Sequence, residues 1–472
     1  MARPNPDAKL RILVCDPGNK ILPDLPIILH SRFGKGEPPS ILRTRVMHGF
    51  ERFEMSGVEY IIVNDVDDVV KEVKQRLAPY YSLVIYESGY YESEHKKGEG
   101  VIGKIADISK HDFFMPQMII GASLKMGLAA QCARAGVLYF AEDYKEVRAQ
   151  LNNIFQKPRK IPNLTVVKIG GSAFDFDRQV KSKLNLEHVC ETLVKIHQDR
   201  EGSRKKRRVN RIILTVGAGQ YGDIPKDWLQ KYGHNEKVRV QYPKSMAQAL
   251  QANLENLKPL VGDLAALLKT GAFYYLTKNS ASRRIPLIGT APHYIMAKDG
   301  IPLQDSDTHT IALAEFCGTE RVVLIKRTDG IYDFDPYRGF RLEPSTGRCA
   351  SYGDWKFAQE GNNRYEVVSI DEMLSGETFS REGTGIDGKA DGSTGHLMED
   401  SALEYMKRCQ RVREIVVVHI APEEMYYERD GRYRHVVTGE TLPLDTDWNL
   451  FLEQRIRDAF QGKAYSKIVK EK

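Results

Sequence analysis

VVKIGGSAFD, residues 166–175, is the stretch that decides how this chain folds. Leu164 to Ile169 reads as a buried strand, and it runs directly into Gly170-Gly171-Ser172. Two successive glycines, lacking Cβ atoms, let the backbone turn tightly and offer its N–H groups to an anion. Lys168 stands near the strand's end, where its ammonium can reach the same anion. An ordinary turn also uses a double glycine, and a solvated strand edge also carries a lysine, so the neighbouring segments have to decide.

Toward the C-terminus, Arg211 to Val216 reads as the next strand and leads into a second glycine turn, Gly217-Ala218-Gly219. The helix between them, Leu184 to Gln198, places Leu186, Val189, Cys190, Leu193 and Val194 on one stripe. Strand, helix and strand in this order imply a parallel sheet, which binds ligands at the carboxyl ends of its strands. Both glycine turns then face one crevice, as suits transfer of a phosphoryl group between donor and acceptor; two plain strand-to-helix turns are the alternative.

A third segment, QDSDTHTIALAEFCGTERVVLIKRTDGIYDFDP over Gln304 to Pro336, brings charge to that edge. Asp305 and Asp307 precede a helix, Thr308 to Cys317, that stops at Gly318. Each of these carboxylates suits either a helix cap or a site. Asp329-Gly330 follows the strand Arg321 to Ile325. Phosphoryl transfer needs positioning and charge neutralisation more than covalent help, so lysines, a metal and an organising aspartate are its expected parts.

Upstream, Arg11 to Cys15, Val58 to Val63, Ser82 to Tyr86 and Val137 to Phe140 read as strands. Helices are expected after Asn64-Asp65, with Val66, Val69, Val70, Val73 and Leu77 on one face, over Gln117 to Ala135, and over Asp143 to Phe155. Asp16, Asp65 and Glu87 follow strands, but they make no complete phosphoacceptor set, and this region is assigned no catalysis. Its loop Ser88 to Gly103, with Tyr90, Tyr91, His95, Lys96 and Lys97, reads as a contact surface or a solvent-facing loop. Gln156 to Asn163, polar and punctuated by Pro158 and Pro162, reads as a linker. The expected division is a first α/β domain over 1–157, a nucleotide-binding domain over 158–445 with a glycine-rich insertion at about 337–397, and an amphipathic helix in 446–472. That last helix presents Phe451, Leu452, Ile456, Ala459 and Phe460 on one side, for its own domain or for a neighbouring subunit.

The chain has 472 residues, enough for two to three domains, with 42% hydrophobic and 28% charged residues. Lys125 and Arg134 interrupt the most apolar stretch, so no membrane span is expected, and the charged N-terminus lacks a signal-peptide core; the expected location is cytoplasmic. The six cysteines form no Cys-x-x-Cys pair and suggest no zinc or redox site. The net charge is only +6, and the basic run Arg204 to Arg208 with Arg211 has no interleaved aromatics. It reads as a solvated connecting loop rather than a nucleic-acid surface.

Together the three segments resemble the amino-acid kinase superfamily, in the branch of uridylate kinase and the molybdenum storage protein. The Lys-x-Gly-Gly-Ser start, the Gly-x-Gly turn, and Asp307 placed 22 residues ahead of Asp329-Gly330-Ile331-Tyr332 with Asp335-Pro336 carry the resemblance. Ser401 to Ile420 and Thr438-Gly439-Glu440-Thr441-Leu442 resemble the closing helix, strand and hairpin of that branch. The implied fold is α/β, a three-layer sandwich of the amino-acid-kinase type with a mostly parallel sheet, preceded by a smaller Rossmann-like domain. The implied cofactors are ATP and Mg2+. Lys168, Gly170, Gly171 and Ser172 would hold the β- and γ-phosphates, and Gly217, Ala218 and Gly219 would face the transferred group. Asp307 would organise lysine and metal, with Lys326 or Arg327 as a further cation, while Asp329, Gly330, Tyr332, Asp335 and Pro336 would line the nucleoside pocket.

The sequence departs from both relatives. Gln220-Tyr221-Gly222-Asp223 stands where uridylate kinases are expected to show asparagine and arginine for the acceptor phosphate, and Lys244 to Asn253 lacks the aspartate that would grip a uridine sugar. Ala291-Pro292-His293-Tyr294 keeps one histidine where the storage proteins cluster several. The partners implied are ATP, a small anionic acceptor or an oxyanion such as molybdate or tungstate, and, by the resemblance, other copies of the chain in a hexamer built from dimers. A nucleotide-sensing scaffold without turnover is the remaining class.

Overall fold

The computed structural model describes residues 10–15, 43–47, 50–55, 58–63, 65–76, 80–87, 100–111, 115–120, 126–137, 139–142, 144–155, 161, 163–174, 181–201, 208–209, 211–268, 284–301, 305–326, 330–332, 364–375, 398, 400–435, 438–463 and 466–470. The first sheet contains β1 (Leu10–Cys15), β2 (Arg43–Met47), β3 (Phe50–Met55), β4 (Val58–Val63), β5 (Leu83–Glu87), β6 (Gln117–Ile120) and β7 (Tyr139–Ala141), in the order β2-β3-β4-β1-β5-β6-β7. Strands β4, β1, β5, β6 and β7 are parallel, while β2, β3 and β4 pair antiparallel. Helices α1 (Val66–Lys74), α2 (Gly100–His111), α3 (Met126–Ala135) and α4 (Tyr144–Ile154) complete the unit. Asp65 caps α1 by accepting from the Asp67 N–H at 2.8 Å.

One expectation fails here. Gln117 to Ala135 is not a single helix: Gln117–Ile120 is strand β6 and only Met126–Ala135 is helical. Met118 and Ile119 are fully buried, because β6 lies inside a parallel sheet between β5 and β7. Such a strand is apolar on both faces and shows no alternation, so its pattern merges with that of a buried helix. The hairpin of β2 and β3 was not legible either.

The second sheet has eight strands in the order β12-β13-β11-β8-β14-β18-β22-β17. Its central strands are β8 (Leu164–Ile169), β11 (Arg211–Val216), β14 (Arg321–Lys326) and β18 (Glu414–His419), flanked by β12 (Ala265–Leu267), β13 (Ile285–Leu287), β17 (Val367–Ser369) and β22 (Lys467–Val469). Pairing is parallel from β12 to β18, and β22 runs antiparallel to β18. Short pairs β9 (Arg200–Glu201) with β10 (Arg208–Val209) and β15 (Ile331–Tyr332) with β16 (Arg364–Tyr365), and a small sheet of β19 (Tyr426–Arg429), β20 (Arg432–His435) and β21 (Thr441–Pro443), lie outside it. Within the stretch read as an insertion, residues 364–375 are ordered into β16, β17 and the helix α10 (Ile370–Ser375), and β17 joins the main sheet.

Side-chain alternation assigns each sheet face its own core. Val166, Ile213, Val322 and Leu324 face α9 (Ser306–Cys317) and α11 (Asp400–Arg408). Val167, Ile169, Leu214, Val323 and Ile325 face α5 (Lys181–Gln198), α7 (Glu236–Val261) and α12 (Trp448–Phe460). The result is a three-layer α/β sandwich with a mostly parallel sheet. The terminal helix α12 buries Leu452, Ile456 and Ala459 in its own domain's core. The two sheets' surroundings touch where β1 meets α8 (His293–Asp299) and α2 meets α7, and the Tyr294 ring of α8 packs edge-on against Phe155 at 5.3 Å and against Phe316 of α9 at 6.5 Å.

Candidate functional site

Strand β8 lies between β11 and β14, so the loops that follow these three strands share one edge. The chain leaves β8 for β11 on one side and later places β14 on the other, making the topological switch where open α/β sheets bind ligands. Register sets Thr215 beside Lys168 and Leu324 on its other side. Lys326, two residues beyond Leu324, therefore projects from the same face as Lys168. Helix α9 covers that face with its N-terminus toward the strand ends.

Three charges converge there. Asp307 binds the Lys168 ammonium with Oδ1 and accepts from Lys326 Nζ at 3.1 Å with Oδ2. Lys168 also donates to Ser306 Oγ at 2.8 Å. Lys168 is only 3% exposed and Asp307 7%. A buried charge is tolerated only when paired, and here one carboxylate is shared by two ammoniums, with Asp305 adding to the field at Lys168. Burial pushes the Asp307 carboxyl up, but Lys168 and Lys326 outweigh it and hold the group at about 2. Burial, together with Lys326, brings Lys168 below the ordinary lysine value despite Asp307. The cluster is a charged, preorganised cradle at the carboxyl edge of the sheet.

Asp305 and Asp307 separate cleanly. Asp305 is the N-cap of α9: its carboxylate accepts from the Thr308 N–H at 2.9 Å, from the Thr308 hydroxyl, and from the Ser401 hydroxyl at 2.6 Å. The capping work is thus done by Asp305, and both Asp307 oxygens are left for the lysines. A carboxylate in the first turn also sits at the positive end of the helix dipole.

The two glycine turns interlock. A Cβ built on Gly217 would stand 2.5 Å from the Gly171 nitrogen, and one on Gly171 would stand 2.6 Å from Gly219 Cα. Only glycine permits this backbone-on-backbone contact. Gly170 N–H donates to Ile325 O at 2.7 Å and Gly217 N–H to Ile169 O at 2.9 Å, stitching both turns to the strand ends. Gly219 has a φ of 58°, in the left-handed region that glycine reaches without strain, and leads into α6 (Gln220–Tyr232). Gly330 is buried, and a Cβ there would meet Ser466 Oγ at 2.6 Å.

The structure therefore brings together Lys168, Gly170, Gly171, Gly217, Ala218, Gly219, Asp307 and Lys326. Asp329, Asp335, Pro336 and Arg327, like the side chains of Ser172 and Tyr332, lie outside the described residues. So do loop residues 88–99 and basic residues 202–207. Sequence reading missed two members. Ser306 is unremarkable in sequence, and Asn253 of α7 merely ends a stretch noted for lacking an aspartate, yet it is fully buried and donates to Gly217 O at 2.8 Å and Ala218 O at 2.9 Å. No local sequence signal separates it from any other helical asparagine.

Among the described residues no group of three His, Cys, Asp or Glu side chains is placed to hold a metal ion, and no helix is long and apolar enough to cross a membrane. No curated protein matches the chain by sequence. Similar solved structures include uridylate kinase from Archaeoglobus fulgidus, at 14% identity, covering 65% of this chain and 99% of that one with a TM-score of 0.38. UMP kinase from Ureaplasma parvum matches at 13% identity, covering 66% and 100% with a TM-score of 0.37. Aspartate kinase from Synechocystis matches at 15% identity, covering 60% and 40% with a TM-score of 0.35. Residues 163–340, which carry all three segments of the site, match the model of the amino acid kinase family, and this part of the chain has the α/β fold of that family.

Proposed function

We propose that this chain binds ATP and passes its γ-phosphoryl group to a small anionic acceptor. The observation that carries this reading is Asp307, buried and bridging Lys168 and Lys326 beneath two interlocked glycine turns. An acceptor oxygen would form a bond to the γ-phosphorus while the bond to the β–γ bridging oxygen breaks, and ADP leaves with that electron pair. Charge accumulates on the phosphoryl oxygens as this happens. Lys168 and Lys326 offer positive charge, Asp307 keeps both ammoniums in place, and the glycine turns supply backbone N–H groups. Electrostatic contacts of this kind are each worth about 10²–10³ in rate.

Among the described residues no group of carboxylates or histidines forms a metal cage. Both Asp307 oxygens are taken by lysines and Asp305 is committed to its cap. Magnesium in this reading arrives on the nucleotide's own phosphates, and the described residues of the site contribute lysines rather than free carboxylates. Copies of the chain in a homo-oligomer belong to the same reading, by resemblance, and light scattering measures them.

The test is incubation of the full chain with γ-labelled ATP and a panel of acceptors: water, phosphate, carboxylates, nucleoside monophosphates, molybdate and tungstate. Protein-dependent ADP formation that Lys168→Met lowers about 100-fold is expected. ATP left unbound and uncleaved with every acceptor overturns the proposal. Elemental analysis of protein from its native cells reads whether molybdenum or tungsten is retained.

A further inference from the structure

We infer that Asn253 is a positioning residue that presets the second glycine turn to receive an anion. This rests on the phosphoryl-transfer reading of the site. Asn253 lies in the interior of α7, fully buried, and spends both hydrogens of its amide on Gly217 O and Ala218 O, at 2.8 and 2.9 Å. Its Oδ1 is buried with no hydrogen-bond partner. An unsatisfied buried acceptor costs stability, so the amide is placed here for its donors and not for packing.

Planar trans peptides turn this into a statement about the cleft. In a trans peptide the carbonyl of one residue and the N–H of the next point in opposite directions. Drawing the carbonyls of Gly217 and Ala218 toward α7 therefore turns the N–H groups of Ala218 and Gly219 away from α7, onto the side where Gly219 meets Gly171. The next carbonyl, Gly219 O, is taken by the Gly222 N–H at 2.8 Å, and Gly217 N–H is taken by Ile169 O. Among the described residues, the N–H groups of Ala218 and Gly219 have no acceptor. Every carbonyl of the turn is thus engaged and two adjacent N–H groups are free, the arrangement of an anion-binding nest. The turn is closed on its far side as well, where a Cβ on Gly222 would stand 2.6 Å from Ala218 Cβ and 3.0 Å from Met246 Cε. Asn253 acts through this backbone and touches no ligand itself.

The experiment uses the full chain and two variants. Asn253→Leu keeps the volume and removes both donors. Asn253→Asp keeps the shape but places a carboxylate against two carbonyls, and regains one donor when protonated. For Asn253→Leu, kcat for ATP turnover is expected to fall about 10-fold or more while KM for ATP stays within about threefold, since one preorganised contact is lost from transfer and not from the first turn. For Asn253→Asp, kcat should recover as pH falls, a dependence the parent lacks. A crystal structure of Asn253→Leu should show one of the peptides joining 217 to 219 turned over. A merely structural role would move kcat and KM together with the melting temperature, without recovery at low pH, and that result overturns the inference. An unchanged turn in the Asn253→Leu crystal overturns it too, whether or not the parent is active. A parent that turns over no ATP counts against the phosphoryl-transfer reading alone, and the two crystal structures then judge Asn253. If Asn253→Leu does not fold, the pH profile and crystal structure of Asn253→Asp decide in the same way.

Discussion

Gly171 and Gly217 touch backbone to backbone: a Cβ on Gly217 would stand 2.5 Å from the Gly171 nitrogen and 3.0 Å from its Cα. Two turns separated by a whole strand-helix-strand unit are thereby locked into one surface. Gly217→Ala should lower stability by about 1–3 kcal/mol, the usual cost of overpacking, and should abolish ATP binding measured by calorimetry. Denaturant melts and ATP affinity equal to the parent's would show that the turns tolerate separation.

Asp307 and Lys168 both have lowered pKa values, so stability rises with pH through each titration, in different pH ranges. The folded carboxyl titrates at about 2, below the ordinary aspartate value of about 3.9. Its contribution to stability is therefore complete above the ordinary value and is lost as pH falls through about 2. The folded Lys168 pKa is lowered, so burying its ammonium costs stability near neutrality, and the cost fades as pH rises. A polyphosphate beside Lys168 would stabilise the ammonium and raise that pKa again. ATP binding at mildly alkaline pH should then take up protons, seen as different apparent enthalpies in buffers of different ionisation heat. Identical enthalpies in all buffers would mean that Lys168 does not meet the phosphates.

Lys168 and Lys326 should not be equivalent. Lys168 is buried and held by Ser306 as well as Asp307, whereas Lys326 is more exposed and reaches Asp307 at 3.1 Å. Lys168→Met should leave Asp307 with a single partner in a buried place and cost both stability and turnover. Lys326→Met should melt near the parent while losing about 10-fold or more in rate. Thermal melts and turnover measured side by side separate the two; parallel losses in both variants contradict this division.

Among the described residues no member of the cradle precedes residue 158; that N-terminal part touches the rest through the Phe155–Tyr294 ring contact, β1 against α8 and α2 against α7. The fragment from Lys160 onward should fold and bind ATP with the full chain's affinity. It should also be less soluble, because Tyr294 loses its cover. Calorimetry that detects nucleotide only with the full chain would contradict the division near Pro158.

The site was legible in sequence wherever backbone chemistry is written into residue type. Glycine pairs after apolar strands announce turns, and the helix stop at Gly318 adopts the expected left-handed φ of 71°. What could not be read came from packing. Gln117–Ile120 is apolar on both faces because neighbouring strands and helices cover it, a property of the sheet and not of those four residues. Asp305 and Asp307 look alike in sequence, and they part only when the helix starts at Ser306 and the register of β8 and β14 sets two lysines beside one of them. Asn253 acquires its role from the 35-residue separation that the fold closes between α7 and Ala218.

The central claim is that Asp307 holds two lysines for a transferring phosphoryl group. Turnover of ATP by Asp307→Asn, set beside Asp305→Asn, tests it most directly. Asparagine in place of Asp307 removes the charge that pairs both ammoniums but little volume, and turnover should fall by about 10²–10³ with ATP binding largely kept. Asparagine in place of Asp305 still caps α9 and should cost stability, about 1 kcal/mol or less, with far less effect on rate. Equal rates near the parent's for both variants would contradict the account and leave Asp307 a structural ion pair.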